Sequence, residues 1–287
     1  MIAGLAQDAS LREPAALRWR LEALDRLEVY LLDGHRQEGG AGAAAAAGLE
    51  GRARALCAML EAANLELYRT IRGEIRGGAG PQSLLQLVSG SVPDGNAASQ
   101  PSGEGYDYLD ALVAGVLAFE SPGAEIAGLA ADMVAYQPTP ARHIFDLIGR
   151  LALSDRDMLV DLGSGLGHVS LLVSICTGAS SLGIELEAAY VRCARQSARA
   201  LNLTDVAFIQ QDARSADLSG GTVYYLYTPF IGKVLRTVLD SLRREAAGRE
   251  IRVCTYGPCT QTVADERWLE VVGALETDRP AVFRSRC

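Results

Sequence analysis

Lysine is almost missing from this 287-residue sequence: Lys233 is the single one, against 26 arginines. Acids outnumber bases, 35 to 27, for a formal net charge of −8. The imbalance is lopsided, because residues 1–135 hold 18 acids and 10 bases while residues 136–287 hold 17 of each. An acidic face repels phosphate backbones, so no nucleic-acid partner is expected; solubility is the simpler use of the charge. Apolar runs long enough to span a bilayer are lacking, since the nearest, VSLLVSICTGASSLGI, is interrupted by Gly and Ser. The opening stretch MIAGLAQDASLREP lacks the basic start and apolar core of a signal peptide. Six cysteines are scattered, too few for a disulfide framework in a chain of this length. Cys254 and Cys259 stand five apart with no histidine nearby, so buried thiols are expected there and no metal site. These absences together lead to the expectation of a soluble cytoplasmic protein with no membrane partner.

Hydrophobic residues make up 49% of the chain and charged residues 22%, enough for a sizeable core. Leu17, Leu21, Leu24 and Leu31 recur at helical spacing within 14–33, behind Pro14. A second helix is expected over 49–75, and others over 106–119 and 123–135. Between them the Gly-, Pro- and Ser-rich stretch 77–105 has the composition of a linker around a short apolar piece, SLLQLV. The low-complexity run GGAGAAAAAG at 39–48 is partly turn and partly helix-favouring. After Tyr136 the character changes. YQPTP is extended, with Thr139 positioned to cap a helix that Pro140 begins. Short apolar strands then alternate with amphipathic helices: MLVDL, SLGIEL, VAFIQQD, TVYYLYT and EIRVCTYG, with RWLEVVGAL and PAVFRS as a closing pair. That alternation predicts an α/β fold: a Rossmann-like, doubly wound, mostly parallel seven-stranded sheet with an N-terminal helical region. The expected division is a helical region over 1–135 and a catalytic domain over 136–287.

One stretch carries the chemistry. In VDLGSGLGHVS a strand ends in Asp161 and gives way to Gly163, Ser164, Gly165 and Gly167 before a helix. Glycines there let a backbone approach a ligand without Cβ clashes. The spacing is G-x-G-x-G, not the dinucleotide G-x-G-x-x-G, and no Lys-Ser/Thr pair follows to hold a triphosphate. An acid at the first strand tip suits a cationic ligand group such as an ammonium. Glu185 ends the next strand, 18 residues beyond Gly167, where a carboxylate meets a ribose diol. Asp212 ends the third, where it or its neighbouring amides face an adenine edge. One ligand carries ammonium, ribose diol and adenine with no phosphate: S-adenosylmethionine. The bland alternative is a tight strand–helix turn, which leaves the placed acids unexplained.

The order D-L-G-S-G-L-G, G-I-E, Q-D-A resembles the class I S-adenosylmethionine-dependent methyltransferases. Further upstream, YQPTPARHIFDLIGRLALSDRDMLVDLGSGLGHVSLLV resembles the core of the disruptor-of-telomeric-silencing family, the non-SET histone-lysine methyltransferases. The resemblance spans roughly Tyr136 to Thr228. It implies that Tyr136 and Thr139 form a loop against the methionine end of the cofactor, and that a helical N-terminal region helps build the site. The family's Asn-Asn-Phe segment after the fourth strand is here Tyr227-Thr228-Pro229-Phe230, and its lysine-rich nucleosome-binding tail has no counterpart.

Methyl transfer needs alignment and exclusion of water more than a dedicated acid or base. Tyr227 and Thr228 follow the fourth strand, where this fold places the acceptor, and are the expected catalytic residues; a Tyr/Phe-rich core strand is the equal alternative. His143 is read as a capping or solvated residue ahead of a base, His168 as packing near the cofactor, His35 as solvated. Arg142 has a solvated helix face as its simpler reading, ahead of a cofactor carboxylate. Tyr106 and Tyr108 begin a helix that could cover the site. Three functions stay open. The acceptor is a lysine-like protein side chain, or a small molecule methylated on N or O, or the chain binds the cofactor without catalysis. Oligomeric state is not legible.

Overall fold

The structure is a computed structural model and describes residues 1–34, 43–90, 105–123, 132–276 and 278–286. Its frame is a seven-stranded sheet. The strands are β1 (Met158–Leu162), β2 (Ser180–Glu185), β3 (Val206–Gln210), β4 (Val223–Leu226), β5 (Arg252–Thr255), β6 (Leu269–Val271) and β7 (Ala281–Ser285). Their order is β3-β2-β1-β4-β5-β7-β6. The first five run parallel, while β7 is antiparallel to both β5 and β6. Strand order reverses between β1 and β4, which makes a crevice at their C-terminal ends.

Ten α-helices appear among the described residues: α1 (Ile2–Gln7), α2 (Leu17–Gly34), α3 (Ala43–Arg76), α4 (Gln82–Ser89), α5 (Tyr108–Leu117), α6 (Ala141–Leu151), α7 (His168–Thr177), α8 (Ala188–Ala200), α9 (Gly232–Ala246) and α10 (Cys259–Ala264). One apolar cluster occupies one face of the sheet, where Leu159, Tyr225 and Cys254 meet Ile144, Leu147, Leu171 and Val191. The other face packs Val160, Leu226 and Val253 against Leu235, Val238 and Leu242 of α9. Parallel strands are covered on both sides, which is why they read as continuous apolar runs.

The N-terminal helices join the first of these clusters. Leu17, Tyr68, Ile71, Leu84 and Leu112 pack in the same core as Leu159. Gly115 of α5 makes the approach close, since a Cβ there would lie 2.3 Å from the Tyr68 ring of α3. A smaller cluster, with Leu27, Ala53 and Leu60, holds α1, α2 and the first half of α3 together. Arg20 is buried beneath it, donating to Asn64 Oδ1 at 2.5 Å and to the Leu11 carbonyl at 3.1 Å.

Three expectations are corrected. SLLQLV is not linker: it forms α4, because Leu84 is fully buried and Glu74 of α3 accepts from Ser83 N–H at 3.1 Å. A helix over 123–135 is not formed at its end; Asp132 has φ 67° and Met133 bridges Phe230, so the chain is extended there, while 124–131 lies outside the described residues. Thr139 does not cap α6: Pro140 is the N-cap, and the Thr139 hydroxyl meets Tyr225 OH at 2.9 Å. His35 lies outside the described residues. No helix among the described residues is long and apolar enough to cross a membrane.

Candidate active site

A cavity of about 1010 Å³ opens over the C-terminal ends of β1 to β5. It is lined by Tyr136, Thr139, Asp161, Gly163, Ser164, Glu185, Asp212, Tyr227 and Thr228, among others. Nine of the eleven sequence-predicted site residues therefore face one space. The other two lie under it: Gly165 supports Tyr136, and Gly167 packs beneath Phe208, 2.5 Å from where a Cβ would sit.

The turn is shaped by close approach. Gly163 has φ 81° and Pro229 stands 2.2 Å from its missing Cβ; Gly165 has φ 52° and the Tyr136 ring stands 2.0 Å from its own. L-residues rarely adopt such a backbone, and neither space admits a methyl group. Tyr136 is thereby laid across the turn. Its hydroxyl meets His168 Nδ1 at 3.2 Å, and its ring lies 4.8 Å from Tyr190. Burial pushes His168 down to about 4, so the imidazole is neutral and serves as a hydrogen-bond partner, consistent with a packing residue. Tyr190 is a cavity residue that its helical periodicity disguised as core.

The acids divide by environment. Asp161 is buried, with Ser170 Oγ 3.4 Å from its Oδ2 and the Ser170 backbone also bonded to it. Burial first, then the neighbouring Glu185, raises its carboxyl to about 7. Beside it, Ser164 Oγ is buried and has no hydrogen-bond partner among the described residues. Glu185 is tied into the turn: Oε2 accepts from Gly165 N–H and Oε1 from Glu187 N–H, each at 2.8 Å. A carboxylate has about four acceptor sites, so two stay open toward the cavity. Asp212 accepts from Arg214 Nε at 3.0 Å, and that side-chain bond first holds its carboxyl below the usual range.

Beyond β4 the wall changes character. Tyr227, Phe230 and Val234 line it, none of them an acid or a base. Tyr227 stacks 4.9 Å from Tyr256, whose hydroxyl meets His143 Nε2 at 3.0 Å. His143 is buried rather than solvated, and burial lowers its pKa. The Thr228 hydroxyl does not point a free proton at the cavity. It donates to the Tyr256 carbonyl at 2.9 Å and accepts from Cys259 N–H at 3.1 Å, with its backbone at φ 39°. Among the described residues no group of three or more His, Cys, Asp or Glu could hold a metal ion.

Residues 131–209, just over a quarter of the chain, match the family described as Histone methylation protein DOT1. That span runs from the extended segment before α6 into β3. No curated protein sequence matches the chain. Among solved structures, the chain is similar to an RNA methyltransferase from Salinibacter ruber in complex with S-adenosyl-L-homocysteine, at 26% identity and TM-score 0.41, over 52% of this chain and 92% of that one. It is also similar to a precorrin-6y C5,15-methyltransferase from Geobacter metallireducens, at 18% identity and TM-score 0.41, over 57% and 94% of the two chains. A magnesium protoporphyrin IX methyltransferase from Synechocystis, with bound S-adenosylmethionine, aligns at 11% identity and TM-score 0.38, over 50% and 76%.

The residues present fit S-adenosylmethionine. A buried Ser164 hydroxyl with no partner among the described residues, the buried Asp161 carboxyl held by Ser170, and a floor that admits no Cβ all face the same space. Bound there, it would supply an electrophilic sulfonium methyl.

Proposed function

We propose that residues 136–287 transfer this methyl to the amine of a lysine-like protein side chain, with residues 1–135 as a helical region that completes the site. The observation that supports the reading is that Tyr227, Phe230 and Val234, past β4, line the cavity without a carboxylate among them. An amine must arrive unprotonated to attack a sulfonium, and a wall without carboxylates disfavours the ammonium form by desolvation. An apolar wall also suits the methylene stem of such a side chain. In this reading Asp161 and Ser164 hold the amino-acid end of the cofactor, Glu185 the ribose diol, and the Asp212 turn the adenine edge. Tyr136 and Thr139 cover the methionine end. Tyr227 forms the acceptor wall, and Thr228 holds that wall in place through its bonds to the Tyr256 carbonyl and Cys259 N–H.

A small-molecule acceptor is the second reading. It is favoured by Tyr227-Thr228-Pro229-Phe230 standing where the resembled family has its asparagines, and by the single lysine in the chain. Radiolabelled cofactor incubated with lysate separates the two. Label in the protein fraction that hydrolyses to methyl-lysine supports the first; label confined to small metabolites overturns it. No transfer to either fraction, with cofactor bound, favours a module that binds without catalysis.

A further inference from the structure

The loop Tyr136–Thr139 leads into a helix that has no cap of its own. Pro140 occupies the N-cap of α6 and makes no side-chain capping bond. The cap comes from the N-terminal helices. Asp110 Oδ1 accepts the Ala141 N–H at 2.7 Å, and its Oδ2 accepts the Asp107 N–H at 2.6 Å. One carboxylate therefore closes the N-termini of α5 and α6 together, where both helix dipoles favour a negative charge. The neighbouring Tyr106 hydroxyl donates to the Pro138 carbonyl at 2.9 Å, inside the loop itself. At the far end of α5, Phe119 lies 4.7 Å from His168, the partner of Tyr136.

We propose that Asp110 is a positioning residue for the cofactor, seconded by Tyr106: it fixes the Tyr136–Thr139 loop from outside the sheet domain, so that α5 sets cofactor affinity. The proposal rests on the reading that this loop meets the cofactor. Body and entry of α6 are held separately. Ile144, Leu147 and Leu151 are buried in the sheet core and anchor the helix without Asp110. What Asp110 secures is the first turn of α6, with Tyr106 holding the loop before it and Arg142 facing Asp107 at 3.7 Å. Loss of Asp110 therefore acts on the cavity wall more than on the fold.

The test is calorimetric titration of S-adenosylhomocysteine into the full chain, with a thermal melt of each variant. Asp110→Ala is expected to weaken binding about tenfold, the size of one lost hydrogen bond to a charged acceptor. Asp110→Asn keeps one acceptor and falls between. Tyr106→Phe removes one exposed hydroxyl and weakens binding about threefold with an unchanged melt. Should Asp110→Ala fail to fold, Tyr106→Phe decides the matter. Binding within twofold of the unmodified protein, with only the melting temperature of the Asp110 variants lowered, makes the contact purely structural and overturns the proposal. An unmodified protein that does not bind S-adenosylhomocysteine overturns the cofactor reading itself.

Discussion

Asp161→Asn separates the cost of the site from its use. The carboxyl is buried, faces Glu185 across the turn and is raised from an ordinary 3.8 to about 7, chiefly by burial. Between those two values the folded protein keeps a proton that the unfolded chain has lost. Stability contributed by this group is therefore full below about pH 4, falls as pH rises toward about 7, and is flat above it. At about 1.36 kcal/mol per pH unit the displacement amounts to about 4 kcal/mol, an upper figure for a carboxylate whose surroundings can relax. Asparagine copies the protonated acid and cannot ionise. The ligand-free variant should match the unmodified protein near pH 4 and exceed it at pH 8. For a chain of this length the gap is on the order of 10 °C in Tm. The assay is paired thermal or urea unfolding at the two pH values. Binding should move the other way, with the variant losing affinity for S-adenosylmethionine at pH 8, where the unmodified site is anionic. Parallel stability curves for the two proteins from pH 5 to pH 8 refute the reasoning.

Gly165→Ala should abolish detectable S-adenosylhomocysteine binding while far-UV circular dichroism stays unchanged, because the new methyl takes the place of the Tyr136 ring 2.0 Å away; retained binding counts against the covered turn. Thr228→Val removes the hydroxyl that bonds the Tyr256 carbonyl and the Cys259 N–H, and should cost about 1–3 kcal/mol in urea unfolding along with turnover. An undiminished midpoint is the contrary result. Leu84→Ala, in what composition suggests is linker, should cost about 2–5 kcal/mol, since the side chain is fully buried; a change within 0.5 kcal/mol, about the size of a surface substitution, speaks against α4 as part of the core.

The parallel sheet was legible because its strands and helices are built from local patterns: apolar runs, helical spacing, and acids at strand tips. Those three acids reach the cavity, yet what holds them could not be read. Glu185 is pinned by the amide of Gly165, 20 residues earlier, through a turn whose path no local pattern describes. Thr139 looks like a cap because Thr-Pro is a capping dipeptide, and its hydroxyl instead serves Tyr225 from 86 residues away. Composition called 77–105 a linker because glycine and proline flank SLLQLV, and periodicity over six residues was too short to oppose them. Asp107 and Asp110 carry a visible signal, the acid three residues after a capping acid, but nothing in it announces a second helix as the beneficiary.

The solitary lysine ends up in a useful place. Lys233 is the second residue of α9, two after Ile231 on the cavity rim, with its backbone N–H 3.3 Å from Asp132 Oδ2. Amine-directed chemistry on this chain consequently has one side-chain target, beside the acceptor mouth. A fluorophore attached there reports on whatever enters, and any self-methylated lysine found by mass spectrometry carries its address in advance.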